Sequence, residues 1–344
     1  MSGCSSTSGT VEDGSPPGSL LANVDLANTR DAPSSIERAT VGGLERAWSL
    51  PQRVKAEGLR YIASPTVKEG VVYLQDPESN VEAIDLDSGR LLWETRYEEP
   101  VSGPNGVVVV GGLVFGATKG SAFALSAETG KEVWSTELVR NGSEQIAIAP
   151  GHHEGRVYLS TTTYRGQGNE VGVLWALDAK TGRKLWHFDT VPRGLWGHPE
   201  INYGGGLDFS PAFDGEGSLY VGISNAGPVP GTARYPWGSS RPGRNLYSNS
   251  IVKLDEETGK VQWHYQVAPH GVCTAGFGAP ILAEAGGRKV VIGAGMLGIV
   301  VGLDQKTGKL LWRRPVGIHN GHDDDGLLAM RGEYGKLKTP MTVY

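Results

Sequence analysis

The sequence predicts an all-β fold, a β-propeller made of four-stranded blades. Two observations predict it. One turn-and-strand segment recurs five times, and in every copy a Trp follows a Gly by four residues. Glycine makes up 51 of the 344 residues, as an all-β chain with many tight turns requires. The copies occupy residues 83–93, 124–134, 176–186, 253–263 and 302–312.

Each copy joins the end of one strand to a second strand that closes on Trp. The run from Asp304 through Thr307 and Gly308 to Trp312 is an example. An Asp side chain bonds its own backbone further along and Gly adopts positive φ, so this run predicts a tight turn. A small antiparallel sheet cannot bury both faces alone, so we expect successive sheets to stack with the Trp rings between them. The rings expected to be buried are Trp93, Trp134, Trp186, Trp263 and Trp312.

The spacing of the copies locates the insertions. Successive Trp residues of the repeat lie 41, 52, 77 and 49 residues apart, whereas a propeller blade takes about 40–50 residues. Most of the surplus lies between Trp186 and Trp263. Insertions in repeat proteins gather on one face, which is often the binding face. We therefore expect function first in residues 187–250.

The number of blades leaves two arrangements open. No sixth copy follows Trp312, and a propeller that does not close leaves sheet edges open to other chains. Either five blades close here, with the strand around Trp48 completing the last one, or about five blades are present as part of a longer ring.

The first forty residues differ in composition from the rest. Residues 5–19 are rich in Ser, Thr, Gly and Pro, which predicts a flexible tether rather than a packed core. We therefore divide the chain into a tether, residues 1–40, and a propeller domain, residues 41–344. Cys4 follows Ser2-Gly3 and resembles the lipidated Cys of a bacterial lipoprotein, which predicts an extracytoplasmic protein of the cell envelope. An ordinary thiol in a disordered tail is the alternative.

Charge and apolar content exclude several classes of partner. The net charge is −5 and there is no basic block, so nucleic acid is excluded as a partner. No apolar run approaches the ~20 residues that a membrane span needs, so we expect membrane contact only through a lipid anchor on Cys4. Cys4 and Cys273 are the two cysteines, too few for a disulfide framework.

Five stretches in and around the repeats carry a resemblance to a known family. They are Trp-Gly-His-Pro at 196–199, Gly-Gly-Gly at 204–206, Ser-Ser-Arg-Pro-Gly at 239–243, Asn-Leu-Tyr-Ser-Asn-Ser at 245–250 and Trp-His-Tyr-Gln at 263–266. With the repeats, they make roughly residues 45–344 similar to the quinoprotein (PQQ-dependent) alcohol dehydrogenases. The resemblance implies an eight-bladed ring, of which this chain supplies about five blades. It also implies pyrroloquinoline quinone (PQQ) and Ca²⁺ on the propeller axis, where the quinone oxidises an alcohol or a sugar.

The resemblance implies two metal ligands. Glu170, in Gly-Asn-Glu-Val-Gly-Val at 168–173, corresponds to a calcium-binding glutamate of the family. Asn225, in Ser-Asn-Ala-Gly-Pro at 224–228, corresponds to the Asn whose carbonyl binds calcium. A solvated loop carboxylate is the alternative for Glu170, and plain turn chemistry is the alternative for Asn225.

At three cofactor positions the resemblance fails. Asp208 stands where the enzymes have a Trp that stacks on the quinone, and Met296 stands where they have a Lys that bonds it. After Pro269-His270 the enzymes carry the catalytic carboxylate base, whereas residues 271–278 contain no carboxylate here. A thioether offers no cationic donor, and Gly or Thr accepts no proton near neutral pH. We therefore predict Asp208, His270 and Met296 at the cofactor position, with no catalytic residue.

Two functions remain open at this stage. The first is a binding or scaffold propeller with an eroded redox site, which takes a small molecule or a protein at its face. Propellers with the same turn segment include lipoproteins that help to assemble outer-membrane proteins without a cofactor. The second is an active PQQ- and calcium-dependent dehydrogenase for a small alcohol or sugar. The fold alone does not decide, because function depends on the site.

Overall fold

A computed structural model of the chain describes most of the predicted propeller domain. It describes residues 25–31, 36–51, 63–101, 105–140, 142, 144–146, 148–163, 171–229, 231–271, 276–296, 298–316 and 325–336. Antiparallel sheets dominate these residues, and each blade contains a four-stranded sheet whose neighbouring strands are consecutive in the chain, apart from one insertion in the fourth blade. The predicted all-β propeller of four-stranded blades is confirmed.

The first three blades follow one another directly. The first contains β1 (Thr66–Lys68), β2 (Val71–Gln75), β3 (Val81–Asp85) and β4 (Leu91–Thr95). The second contains β5 (Val108–Val110), β6 (Leu113–Ala117), β7 (Ser121–Ser126) and β8 (Glu132–Glu137). The third contains β9 (Glu144–Ile146), β10 (Gly151–His153), β11 (Arg156–Thr163), β12 (Val173–Asp178) and β13 (Lys184–Asp189), with β9 paired to the far end of β11.

The fourth blade carries the long insertion. Its sheet contains β15 (Ala212–Phe213), β16 (Ser218–Gly222), β18 (Ser250–Asp255) and β19 (Val261–Gln266). A separate two-stranded sheet pairs β14 (Tyr203–Gly204) with β17 (Ala226–Gly227). The fifth blade contains β20 (Ile281–Ala285), β21 (Arg288–Gly295), β22 (Ile299–Asp304) and β23 (Leu310–Pro315). Short helical segments are α1 (Asp325–Met330) and the 3-10 turns Val41–Gly43, Pro236–Gly238 and Tyr334–Lys336.

Each repeat Trp docks on the turn of the next blade. The indole N–H of Trp134 donates to the carbonyl of Ala179 at 2.9 Å, and its ring lies over Gly182, where a Cβ would collide with the ring. Gly is therefore required at this point both by its φ of +70° and by the close approach. The same indole-to-carbonyl bond joins Trp48 to Leu86, Trp93 to Ala127, Trp186 to Glu256 and Trp263 to Gln305.

The burial of the docked rings is less uniform than the sequence predicted. Trp134 is buried, whereas Trp93, Trp186 and Trp263 are half-buried. The prediction is wrong for Trp312, which is 36% exposed. The physical reason is that the described residues contain no turn of a following blade on which Trp312 can dock.

Trp48, which lies outside the five repeat copies, makes a fifth docking contact of the same kind. Its ring lies over Gly89 of the first blade, and its N–H donates to Leu86 O at 2.7 Å. The fifth blade already has β23 as its fourth strand. Trp48 therefore does not complete the fifth blade, although the closed five-bladed arrangement required this. It docks on the first blade as the closing Trp of a preceding blade would.

Part of the predicted tether packs on the propeller. The backbone N–H groups of Phe213 in β15 and Leu282 in β20 donate to Leu26 O and Ala27 O at 2.7 and 2.9 Å. The side chain of Asn28, 2% exposed, donates to Ser210 O and Pro280 O. Within the span assigned to a tether of residues 1–40, residues 25–31 thus bridge the inner strands of the fourth and fifth blades. Residues 1–24, including Cys4, lie outside the described residues, so the lipid anchor stays a prediction.

Strand direction separates the loops into two groups. Because each sheet is an antiparallel meander, the turns after its first and third strands lie at one end, which we call the turn end. The loops after the second and fourth strands lie at the opposite end, which we call the loop end. The described residues of the insertion between β16 and β18 and the segments 190–211, 267–271 and 276–280 belong to the loop end. The structure therefore gathers the segments that carry Asp208, Asn225, His270 and Met296 at the loop end.

Candidate functional site

The loop-end segments that carry Asp208, Asn225 and Met296 are tied to one another through the backbone. Gly205 N–H donates to the carbonyl of Asn225 at 2.9 Å, and the backbone N–H of Ser224 donates to Gly206 O at 2.9 Å. A Cβ on Gly204 would clash with the Asn225 carbonyl. Gly204 is therefore required because two backbones cross at contact distance, whereas a Cβ on Gly206 would collide with the side chain of Thr162.

Met296 joins the same group of loops from the fifth blade. Its N–H donates to Gly276 O at 3.2 Å, and a Cβ on Gly276 would lie 3.1 Å from the Cα of Ser224. The side chain of Met296 is 75% exposed. The segments of Asp208, Asn225 and Met296 thus meet at the loop end, where Met296 presents a thioether to solvent, and their convergence on the propeller axis stays a prediction.

Asp208 presents a carboxyl group in this region. Its side chain is exposed at one side, yet protein atoms surround the carboxyl enough that desolvation raises its pKa, an effect that a hydrogen bond with the Ser224 side chain partly offsets. A partly desolvated carboxyl gains more interaction free energy from a nearby cation or hydrogen-bond donor than a fully solvated carboxyl does.

Phe209 was missed by sequence reasoning. Its ring is 41% exposed and lies next to Gly278, where a Cβ would sit 3.7 Å from a ring carbon. A large exposed apolar ring beside a desolvated carboxyl is a combination that ligand sites use. The available signal is an aromatic residue directly after Asp208.

Asn225 keeps one side-chain oxygen for a ligand. Its backbone carbonyl accepts from Gly205, and its amide nitrogen lies 3.3 Å from Ala226 O, to which it donates. Its Oδ1 accepts no hydrogen bond from the described residues, so it can serve as a hard oxygen donor to a cation. The other predicted metal ligand, Glu170, lies outside the described residues.

His270 lies behind these loops rather than facing solvent. It is 1% exposed, and its Nδ1 and Nε2 lie 2.9 and 3.0 Å from the carbonyls of Gly243 and Trp237. Burial lowers the pKa of His270, with the two carbonyls opposing that shift. Both ring nitrogens are engaged, so the observed role of His270 is to hold the insertion, and a direct contact with a cofactor stays a prediction.

Arg241 holds the same insertion from inside. It is fully buried and donates to Asn245 Oδ1 at 3.2 Å, to Pro228 O at 3.1 Å and to Gly271 O. Burial lowers the pKa of Arg241 to about 10, so the guanidinium stays charged at neutral pH. It ties the segment after β17 to the segment after His270.

The residues present do not fit PQQ as the resemblance implies. A carboxyl group, that of Asp208, stands at the position of the stacking indole, and the exposed thioether of Met296 stands at the position of the cation. A calcium ion would find Asn225 Oδ1 and the Asp208 carboxylate within these loops, both hard oxygen donors. The donor set thus suits a cation better than it suits the quinone.

Sequence models of two propeller families match the chain. The model described as outer membrane protein assembly factor BamB matches residues 19–103 and 77–207, and the β-propeller domain of glucose, ethanol and alcohol dehydrogenases matches residues 166–313. The quinohemoprotein alcohol dehydrogenase of Comamonas testosteroni is 33% identical over 88% of this chain and 47% of that enzyme. The chain belongs to the family of PQQ-dependent alcohol dehydrogenase-like β-propellers.

Other members of this family agree in fold and in coverage. The dehydrogenase subunit of the quinone alcohol dehydrogenase of Gluconacetobacter polyoxogenes is 30% identical over 80% of the chain. The solved quinohemoprotein alcohol dehydrogenase ADHIIG of Pseudomonas putida superposes with a TM-score of 0.76 at 28% identity, over 88% of this chain and 48% of that one. The chain spans about half the length of these relatives. A europium-containing methanol dehydrogenase, at 22% identity and a TM-score of 0.72, shows the same fold.

The described residues contain no helix that is long and apolar enough to cross a membrane.

Proposed function

We propose that this chain is a binding propeller of the quinoprotein family whose redox site has eroded. The observation that carries the proposal is the pair Asp208 and Met296. A carboxyl and an exposed thioether stand at the two positions where the resemblance implies a stacking indole and a cation. Neither side chain stacks on a quinone or donates a charged hydrogen bond to its carbonyls. The absence of a carboxylate in residues 271–278 supports the same conclusion for the catalytic base.

The class of ligand is inferred from the side chains that now lie at the position of the redox residues. Phe209 offers an exposed ring, and Asp208 offers a carboxyl whose pKa desolvation raises. A small molecule or a protein segment with an apolar face and a cationic or hydrogen-bond-donating group matches this pair. A cation held by Asn225 and Glu170 is part of the same proposal, since hard oxygen donors suit calcium.

The proposed setting is the cell envelope. The Cys4 segment resembles a lipidated N-terminus, and the Ser-, Thr-, Gly- and Pro-rich residues 5–19 would tether the propeller to a membrane surface. Mass spectrometry of the protein from its native host tests this part. A diacylglyceryl group on Cys4 is the expected result, and an unmodified Cys4 on a full-length soluble protein would contradict the anchor.

The second candidate is an active dehydrogenase of a small alcohol or sugar that uses PQQ and calcium. The names of the relatives, which are quinone-dependent alcohol dehydrogenases, favour it. The exposed ring of Phe209 favours it as well, because it supplies an aromatic surface near the position of the missing indole.

A titration with PQQ and Ca²⁺ decides between the two candidates. We expect weak binding of the quinone to the parent chain, and at least ~10-fold tighter binding after Asp208→Trp with Met296→Lys, because the pair restores a stacking plane and a cationic donor. Adding Thr274→Asp to this double variant should then return some dye-linked alcohol oxidation. The matched control is Asp208→Asn with Met296→Leu, which changes both positions but supplies neither ring nor cation.

Robust alcohol oxidation by the unaltered chain would contradict the erosion and support the dehydrogenase. The chain spans about half the length of its relatives. The same titration and assay are therefore also run on a closed, full-length ring, because a quinone on the propeller axis needs the wall that the other blades supply.

A further inference from the structure

A cluster of metal-ligand side chains lies at the turn end, opposite the site described above. His153 ends β10 in the third blade, Glu154 follows it in the turn, and Glu256 stands in the turn after β18 of the fourth blade. One ligand atom from each lies within 4.8 Å of the others. His153 is 7% exposed and Glu256 is 2% exposed, whereas Glu154 reaches solvent.

The buried part of the cluster is already held in place. Nδ1 of His153 lies 2.8 and 2.9 Å from the two carboxylate oxygens of Glu256. The hydroxyl of Tyr158 donates to Glu256 at 3.0 Å, and the His153 ring stacks on Phe213 with centroids 5.2 Å apart. These partners fix the imidazole and the carboxylate in the way that outer partners orient metal ligands.

A cavity opens onto this cluster. It has a volume of about 260 Å³ and gives an ion a path from solvent. Its lining is strongly acidic, with Glu154, Glu216, Asp255, Glu256 and Glu257 against Arg156. An excess of carboxylates around a cavity attracts a divalent cation, because the repulsion between the like charges grows as the local dielectric constant falls and a bound cation relieves it.

The internal repeat supplies a comparison for this cluster. At the other interfaces between successive blades, the pair equivalent to His153 and Glu256 is Lys68 with Ala127, Val110 with Ala179, and Asp214 with Gln305. The docking of Trp on the turn needs only the backbone carbonyl at the second position. The fold therefore does not require His153 and Glu256, and their presence together at one interface calls for a separate explanation.

The interface between the fourth and fifth blades shows how an ordinary buried carboxylate is neutralised. Asp214 there accepts from the hydroxyl of Tyr220 at 2.9 Å and has Lys253 Nζ at 3.7 Å. Glu256 has the same tyrosine contact, from Tyr158, but faces an imidazole and the acidic Glu154 in place of a lysine. A bound cation would place a fixed positive charge beside both carboxylates.

We infer that His153, Glu154 and Glu256 bind one divalent cation of the zinc class at the interface of the third and fourth blades. One imidazole nitrogen and two carboxylates, with a solvent molecule from the cavity, complete a tetrahedral set, and a mixed nitrogen and oxygen set favours zinc over calcium. Neighbouring ligand atoms around zinc lie about 3.3 Å apart, given metal–ligand distances of about 2.0 Å. The separations of 2.8 and 2.9 Å between His153 Nδ1 and Glu256 would thus open by roughly half an ångström.

To test the inference, a chelator first removes metals from the full chain. ZnCl₂ is then titrated in, and binding is monitored by calorimetry and by the midpoint temperature of thermal unfolding. We expect one Zn²⁺ per chain and a rise in the midpoint. Glu154→Gln should weaken binding by at least ~10-fold, because a ligand is lost, and His153→Ala should abolish it. Glu154 is exposed, so its variant folds even where a change at the buried His153 does not.

Two matched controls separate this site from adventitious binding. His198→Ala removes an exposed histidine whose Nδ1 lies 3.1 Å from Glu200, and Asp214→Asn alters the equivalent buried tyrosine–carboxylate contact at the next interface. Both should leave zinc affinity unchanged. The inference is overturned when the parent chain shows no binding, when Glu154→Gln binds as tightly as the parent, or when His198→Ala removes the signal.

Discussion

At the scale of single residues, the long insertion depends on one buried cation. Arg241 has no carboxylate among its described hydrogen-bond partners. It donates instead to the backbone carbonyls of Pro228 and Gly271 and to the side-chain amide oxygen of Asn245. Burial removes the guanidinium from water, and this desolvation lowers its pKa. The hydrogen bonds must outweigh the cost of this desolvation, because the loops that carry the candidate site are built around the guanidinium.

We predict that Arg241→Met lowers the free energy of unfolding by about 2–3 kcal/mol, because three buried acceptors lose a charged donor at about 1–3 kcal/mol each while relief of the buried charge offsets part of the loss. Urea denaturation measures it. Arg244→Ala is the control, since the exposed Arg244 bonds only Gln266 among the described residues, and a change below ~0.5 kcal/mol is expected there. Equal losses in the two variants would contradict the role given to Arg241.

Asp208 gives a second prediction, for the dependence of stability on pH. Desolvation raises the pKa of Asp208 in the folded protein, so the folded state binds this proton more tightly than the unfolded state does. The resulting contribution to the free energy of unfolding is fully present below the unfolded pKa. That contribution is lost as the pH rises through the raised pKa. Asp208→Asn cannot ionise, so we expect this variant to gain stability over the parent at pH 7 and to lose the gain near pH 3. A difference between the two proteins that does not change with pH would contradict the shift.

At the scale of elements, the repeated unit is the Trp on one blade and the Thr-Gly turn on the next. Trp134 buries its ring over Gly182 and bonds Ala179, whereas Trp312, with the same sequence context, is 36% exposed. The two rings share a sequence context and differ in the surface that covers them. Truncating each ring therefore measures how much this covering surface contributes to stability.

Trp134→Ala should cost about 3–5 kcal/mol, as truncation of a buried aromatic ring does, and Trp312→Ala should cost less than ~1 kcal/mol because its ring already meets solvent. Chemical denaturation of both variants checks the difference. Similar losses would mean that Trp312 is covered in solution by a surface that the described residues do not include.

The same elements show what the sequence can and cannot determine. The interval from Gly to Trp predicted the blades, because turn chemistry and the size of the indole act locally and recur. The docking of Leu26 and Ala27 on β15 and β20 was not predictable, since it depends on backbone bonds that any residue type can make. Asp208 and Asn225 were predicted from a family resemblance, whereas Phe209 was missed because its exposure depends on which loops surround it.

At the scale of the whole molecule, the two ends of the propeller carry different chemistry. The loop end gathers long insertions around Asp208 and Asn225, while the turn end carries short, repeated turns with carboxylates at fixed positions. In four of the five turns the first Asp accepts from a Ser or Thr hydroxyl three residues on. The turn end therefore carries a repeated negative charge in four of its five described turns, and one interface adds the pair His153 and Glu256 to it.

These repeated charges give the molecule a predictable response to acid. The hydroxyls of Ser88, Thr181, Thr258 and Thr307 are the largest causes that lower the pKa of Asp85, Asp178, Asp255 and Asp304. A carboxylate with a lowered folded pKa adds stability that is present above its unfolded pKa, about 3.9, and that is lost as the pH falls through the folded value. Each of these groups is exposed, so each contributes little alone, and the effect depends on the number of turns.

We therefore predict that the combined variant Thr181→Ala, Thr258→Ala, Thr307→Ala flattens the decline of stability between pH 5 and pH 2, because the three carboxylates return towards their ordinary pKa values. Urea midpoints measured at steps of pH give the slope for parent and variant. The control is Thr129→Ala, whose turn begins with Ser126 and so carries no carboxylate at the first position; it should leave the slope unchanged. If the triple variant shows the same slope of stability against pH as the parent, the acid response arises from other groups. The turn hydroxyls would then have only a conformational role.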